Sequence, residues 1–194
     1  MNWITEHYIE VTAAILGITG VFLTTRQNIW CWPIGLLNVT LSIYVFFIEK
    51  LYADVILQFF YLGMTLYGWY NWIFGGKKKY ELPVRRIKGR EVSVMLIIGI
   101  IFSFAMGYII ANYTDAAYPY WDSNLTVWGI IATYAMAKKI LAHWLMWIII
   151  DINCTALYFI KQMYAFSPLY FIFTLLAVYG YFQWKKDYKT EYSV

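Results

Sequence analysis

The sequence predicts an all-α integral membrane protein of seven transmembrane helices, laid out as three, one and three, with the two triplets as parallel repeats. Three observations lead there. Of 194 residues, 62% are hydrophobic and only 13% are charged, outside the range of a water-soluble domain of this size. Seven apolar stretches approach the roughly 20 residues that a helix needs to cross a bilayer: 8–25, 30–48, 52–74, 92–112, 121–137, 141–160 and 166–184. The first three overlay the last three, without a gap, at an offset of 112 residues.

Met1–Glu10 holds Glu6 and Glu10 and no basic residue, so 8–25 reads as a first helix and not as a secretory signal. The second stretch has Pro33 near its start, where a first helical turn tolerates proline; Asn38, Thr40 and Ser42 follow. The third carries Gln58 and Tyr61 and runs into Gly75-Gly76, a helix stop. Gly75–Glu91 (GGKKKYELPVRRIKGRE) is a linker: Pro83 discourages helix, and the basic run holds it at the cytoplasmic headgroups, a reading that outweighs contact with nucleic acid. The fourth stretch, nearly free of polar residues, returns the chain across the bilayer. The fifth offers Thr133 and Tyr134 as cavity residues, and the sixth contains Asp151. The seventh has Pro168 in its first turn and leads into a basic tail. The organisation is therefore 1–74, a first three-helix repeat; 75–91, a cytoplasmic linker; 92–113, a connecting helix; 114–186, a second repeat; and 187–194, a cytoplasmic tail.

At the 112-residue offset Gly17 falls on Gly129, Ile18 on Ile130, Trp32 on Trp144, Tyr67 on Tyr179, Gly68 on Gly180 and Trp72 on Trp184. Apolar composition alone rarely aligns Gly-Ile, Tyr-Gly and two tryptophan pairs in one register. A single helix between the triplets makes the repeats parallel, about an axis along the membrane normal, which is a SWEET-like arrangement.

Loops alternate sides across seven helices. One side collects Arg26, the linker bases, Lys138, Lys139, Lys185, Lys186 and Lys189, which is 13 of the 15 basic residues. The positive-inside rule makes that side cytoplasmic, with the N-terminus outside and the C-terminus inside. Cys31 and Cys154 fall within apolar stretches and read as packing residues. No zinc, haem or nucleotide spacing occurs, neither His7 nor His143 has a nucleophile or metal partner in the pattern, and no paired carboxylates are present. The expectation is a protein that is not an enzyme and uses no metal or cofactor.

Asp151 is the single centrally placed carboxylate. An ionisable group at membrane depth costs roughly 2.5–3.5 kcal/mol on insertion scales and marks a functional site by default. Trp144, Trp147 and Asp151 stand at i, i+3 and i+7, on one helical face. Two indoles and a carboxylate suit a planar cation, since cation–π attraction is worth about 0.5–2 kcal/mol. Gln58 and Tyr61, at i and i+3, can present an amide and a phenol to one ligand, and Asn38 lies at a depth comparable to Asp151. The expected substrate contacts are thus Asp151, Trp144, Trp147, Gln58, Tyr61 and Asn38. Asn153, about 200° around the helix from Asp151, is expected to bond to another helix. One central carboxylate without further buried charge favours facilitated diffusion over ion coupling; a non-transporting receptor or scaffold is the alternative of a different class.

The layout of three, one and three, with WLMWIIID at 144–151, Gln58-Phe-Phe-Tyr61 and YGYFQWKK at 179–186, resembles the PnuC family of bacterial vitamin transporters over nearly the whole chain. The resemblance implies a SWEET-like homotrimer of the inner membrane that carries nicotinamide riboside or a related vitamin down its gradient, after which a cytoplasmic kinase traps the solute by phosphorylation. Two triple-helix bundles would rock about a central site. The family's tryptophans correspond to Trp144 and Trp147, and its polar pair to Gln58 and Tyr61. Nicotinamide riboside carriers of the family typically have asparagine at the position of Asp151, and a relative carries thiamine, another cation. Nicotinamide riboside is the first expectation, thiamine the second; riboflavin, being neutral, is less favoured by a carboxylate.

Overall fold

Each apolar stretch becomes a helix. The computed structural model describes residues 8–48, 50, 52–80, 82–162, 164 and 166–192. In order the helices are α1 (Tyr8–Thr25), α2 (Cys31–Ile48), α3 (Tyr52–Phe74), α4 (Gly89–Tyr113), α5 (Pro119–Ala137), α6 (His143–Ile160) and α7 (Phe166–Tyr192). Among the described residues there is no strand, only an isolated bridge between Arg85 and Ile140. By length and composition α2, α4 and α6 are apolar enough to cross a membrane. Pro33 and Pro168 sit in the first turns of α2 and α7, where a missing N–H costs nothing.

Many of the hydroxyls carried by these apolar helices are satisfied within their own helix backbone. Thr19 donates to the Ile15 carbonyl at 2.7 Å, Thr40 to Leu36 at 2.8 Å, Ser42 to Asn38 at 3.0 Å and Thr65 to Tyr61 at 2.7 Å. In a medium without water each such bond spares a polar group that would otherwise be orphaned.

The chain forms two compact units. The first comprises Met1–Pro83 with Tyr179–Val194. Its centre is aromatic: Trp32 meets Trp72 edge-on at 5.3 Å, and Trp72 meets Trp184 at 5.9 Å. Trp184 donates its indole N–H to the Thr24 carbonyl at 2.9 Å, and Gln27 donates to Asp187 at 2.8 Å. The Arg26 guanidinium lies over both Phe22 and Tyr179. The turn after α1 is thereby tied to the last part of α7.

The second unit is Val84–Val178. Here α4 turns one narrow stripe inward, Met95, Gly99, Ser103 and Gly107, at four-residue spacing. The two glycines let α5 approach: a Cβ on Gly99 would lie 2.5 Å from the Trp128 ring, and one on Gly107 would run into Tyr120. Met95 joins Val127, Ile131, Ala135 and Ile140 in a buried cluster. The other face of α4 exposes Ile97, Ile101, Phe104 and Tyr108, as lipid contact requires. Before α4, Arg85 holds Glu91 through two bonds of 2.8 Å, and Glu91 also accepts from the Lys88 N–H at 2.9 Å. Arg85 pairs its backbone with Lys139 and Leu141 at 2.9 and 2.8 Å, so the linker is strapped to the turn between α5 and α6.

Non-glycine residues in the left-handed region include Gln27 (φ 52°), Lys50 (58°), Lys139 (47°) and Gln162 (60°). Lys139 follows Gln27, and Gln162 follows Lys50, by the same 112 residues. The ends of α1 and α5, at Thr25 and Ala137, and of α2 and α6, at Ile48 and Ile160, have that separation too.

Candidate functional site

Of the six residues expected to contact substrate, Trp144, Trp147 and Asp151 lie in the second unit, on α6, while Asn38, Gln58 and Tyr61 lie in the first, on α2 and α3. On α6 the face anticipated from spacing is the inward one. Trp144 is 2% exposed and Asp151 4%, while Trp147 is half-buried. Trp144 packs beside His143, ring centroids 4.5 Å apart. His143 is fully buried, with Nδ1 2.8 Å from the Ile140 carbonyl. Trp147 packs against the cluster of Ala132, Ile150 and Cys154, whose last two members flank Asp151 in sequence.

Among the described residues no ion-pair or hydrogen-bond partner reaches the Asp151 carboxylate. Its own carbonyl accepts the Thr155 hydroxyl at 2.7 Å. A buried carboxylate without a protein counter-charge can neutralise a cation that enters beside it.

Asn38, Gln58 and Tyr61 are all half-buried. Contact between α2 and α3 at Gly35 and Thr65 sets the level: the short connection makes these helices antiparallel, so Asn38, one turn after Gly35, stands near the height of Tyr61, one turn before Thr65.

One residue, Asn153, lands differently from expectation. Asn153 does not bond to another helix; it donates to the Ile149 carbonyl of its own helix at 2.8 Å. A short amide facing away from the core finds its nearest acceptor one turn back. Thr133 is buried and donates its hydroxyl to the Gly129 carbonyl at 2.8 Å, and Tyr134 is 41% exposed. Cys31 and Cys154 are buried and not joined in a disulfide, in keeping with their reading as packing residues. Two tyrosines were not among the contacts expected from the sequence. Tyr158 of α6 stacks on Tyr170 of α7, centroids 5.1 Å apart and planes 21° from parallel, and both pack on the same cluster as Trp147. The available signal was spacing: Tyr158 stands seven residues after Asp151, as Asp151 does after Trp144.

Comparison with known proteins matches this architecture. The family described as Nicotinamide mononucleotide transporter matches residues 7–186. The chain is 29% identical to the Nicotinamide riboside transporter PnuC of Escherichia coli (strain K12), over 91% of this chain and 84% of that one. It is 27% identical to the Riboflavin/roseoflavin transporter RibM of Streptomyces davaonensis, over 95% and 92%. In fold it is similar to the crystal structure of the Vitamin B3 transporter PnuC, with a TM-score of 0.76 and 21% identity over 96% of this chain and 84% of that one. With the match spanning nearly its whole length, the chain belongs to the Nicotinamide mononucleotide transporter family, the PnuC family of vitamin transporters.

Proposed function

We propose that the chain imports a cationic vitamin by facilitated diffusion, nicotinamide riboside before others. The observation that carries this reading is the buried Asp151 carboxylate, without a protein counter-charge, on the same face as Trp144 and Trp147. Asp151 neutralises the pyridinium, the two indoles stack on it, and Gln58, Tyr61 and Asn38 are assigned polar substrate contacts from their chemistry and half-burial. Thiamine is the second reading, favoured by the carboxylate itself, which accepts from an aminopyrimidine as well as neutralising a thiazolium. The name of the RibM relative makes riboflavin the neutral comparison to run beside both.

The transport mode is alternating access without an energy source: occupied and empty carriers both reorient. Phosphorylation by a cytoplasmic vitamin kinase makes uptake directional. The reading places the protein in a bacterial inner membrane as a homotrimer, N-terminus outside, which the one-sided distribution of basic residues supports. The repetition of left-handed turns and helix ends at 112 residues supports a duplicated, SWEET-like ancestry.

The test is calorimetric binding of nicotinamide riboside, thiamine and riboflavin to the purified protein and to Asp151→Asn, Asp151→Ala and Asn153→Ala. Asp151→Ala is expected to weaken the cationic vitamin at least about tenfold, the scale of one charge-assisted contact, with Asn153→Ala near wild type. Equal affinities in the two alanine variants remove the site assignment. Loss of thiamine binding in Asp151→Asn selects the second reading. Counterflow in vesicles without an ion gradient separates a facilitator from a receptor, which binds without exchange.

A further inference from the structure

Beyond Asp151 the inward face of α6 continues through Cys154 to Tyr158, two turns or roughly 10 Å further along the helix axis. There α7 closes over it. The Ser167 hydroxyl donates to the Thr155 carbonyl at 3.0 Å, which pins the first turn of α7 to α6, and one turn later Tyr170 stacks on Tyr158 at 5.1 Å. Trp147 on one side of Asp151 and the tyrosine pair on the other all pack against Ala132, Ile150 and Cys154, so they belong to one continuous surface. Both tyrosines remain half-buried, and a side-chain hydrogen bond joins their hydroxyls, which occupies one donor and leaves the pair further acceptor lone pairs. Each combines a flat face with a hydroxyl that donates and accepts.

We infer that Tyr158 and Tyr170 form a second substrate-holding element, specific for the uncharged arm of a vitamin whose cationic ring lies between Trp147 and Asp151. This rests on the cationic-vitamin reading above. A ligand anchored at Asp151 and stacked on Trp147 that extends along the inward face of α6 reaches Tyr158. The arm suited to a phenol pair is one with hydroxyl or amino groups, a ribose or an aminopyrimidine, and not a bare alkyl chain.

The experiment compares the bound vitamin with its N-methyl ring cation, 1-methylnicotinamide for nicotinamide riboside or an N-methylthiazolium for thiamine, the ring cation being read by displacement. Tyr170→Phe and Tyr158→Phe keep the stacked ring and delete one hydroxyl, and thermal unfolding in detergent verifies that each variant is folded. Tyr170→Phe is expected to weaken the whole vitamin about tenfold and to leave the ring cation within about twofold of wild type. A merely structural tyrosine would weaken both ligands alike, and a bystander neither; either result overturns the inference. Wild-type protein that binds none of the vitamins removes the functional reading itself. Wild-type binding with an indifferent Tyr170→Phe removes only the tyrosine element.

Discussion

Lys161 holds both carboxylate oxygens of Asp122, at 2.8 and 2.9 Å. The pair joins the first turn of α5 to the residue that ends α6, and so closes one end of the helix pair that carries Asp151. Both side chains are about a quarter to a third exposed, so water screens much of the attraction.

From this pair we expect Asp122→Asn to lower stability by about 1 kcal/mol or less. A double-mutant cycle with Lys161→Met should return a coupling of roughly 0.5–1 kcal/mol, read from thermal unfolding in detergent. Full additivity of the two variants would show that the contact contributes nothing.

Gly68 lies directly against the Trp32 indole, where no Cβ fits. Alanine there gains up to about 1 kcal/mol of helix propensity but forces a ring that is 2% exposed to move. Overpacking costs about 1–3 kcal/mol, so the net effect of Gly68→Ala is destabilising. Gly63, whose added Cβ would meet nothing within 4 Å, is the control, and Gly63→Ala should be neutral or stabilising. A melting temperature for Gly68→Ala at or above wild type would contradict this packing.

Ser103 is 5% exposed, and its hydroxyl has no hydrogen-bond partner among the described residues. Ser103→Ala removes an unsatisfied group and keeps a small side chain against α5. We expect a change between zero and about 1 kcal/mol in the stabilising direction. A loss greater than that would reveal a partner for the hydroxyl.

Glu91 collects two bonds from Arg85 and one from the Lys88 N–H, and these hold the basic linker at the start of α4. Glu91→Gln removes the charge that makes the bonds strong. Trypsin should then cut at Arg85–Arg90 about three to ten times faster, on the scale of about 1 kcal/mol for a part-exposed pair. An unchanged digestion rate in vesicles would mean that the backbone pairing of Arg85 with Lys139 and Leu141 suffices alone.

Much of this was legible in advance, and one property accounts for it. A membrane helix satisfies its backbone internally and must be apolar over a fixed length, so seven apolar stretches predict seven helices, with ends close to Thr25, Ile48, Ala137 and Ile160. Spacing alone put Trp144, Trp147 and Asp151 on one face, and the cost of a charge in an apolar helix marked Asp151. What the sequence left open was how each helix is rotated against its neighbours, because Trp, Tyr and Gly are all admissible on a lipid face or an inner one. Only the tertiary structure seated Trp128 and Tyr120 on the glycines of α4 and brought Tyr170 from α7 over Tyr158. Helix existence is set by local composition, whereas those contacts depend on the rotational phase of two helices at once, which no periodicity within one helix can specify.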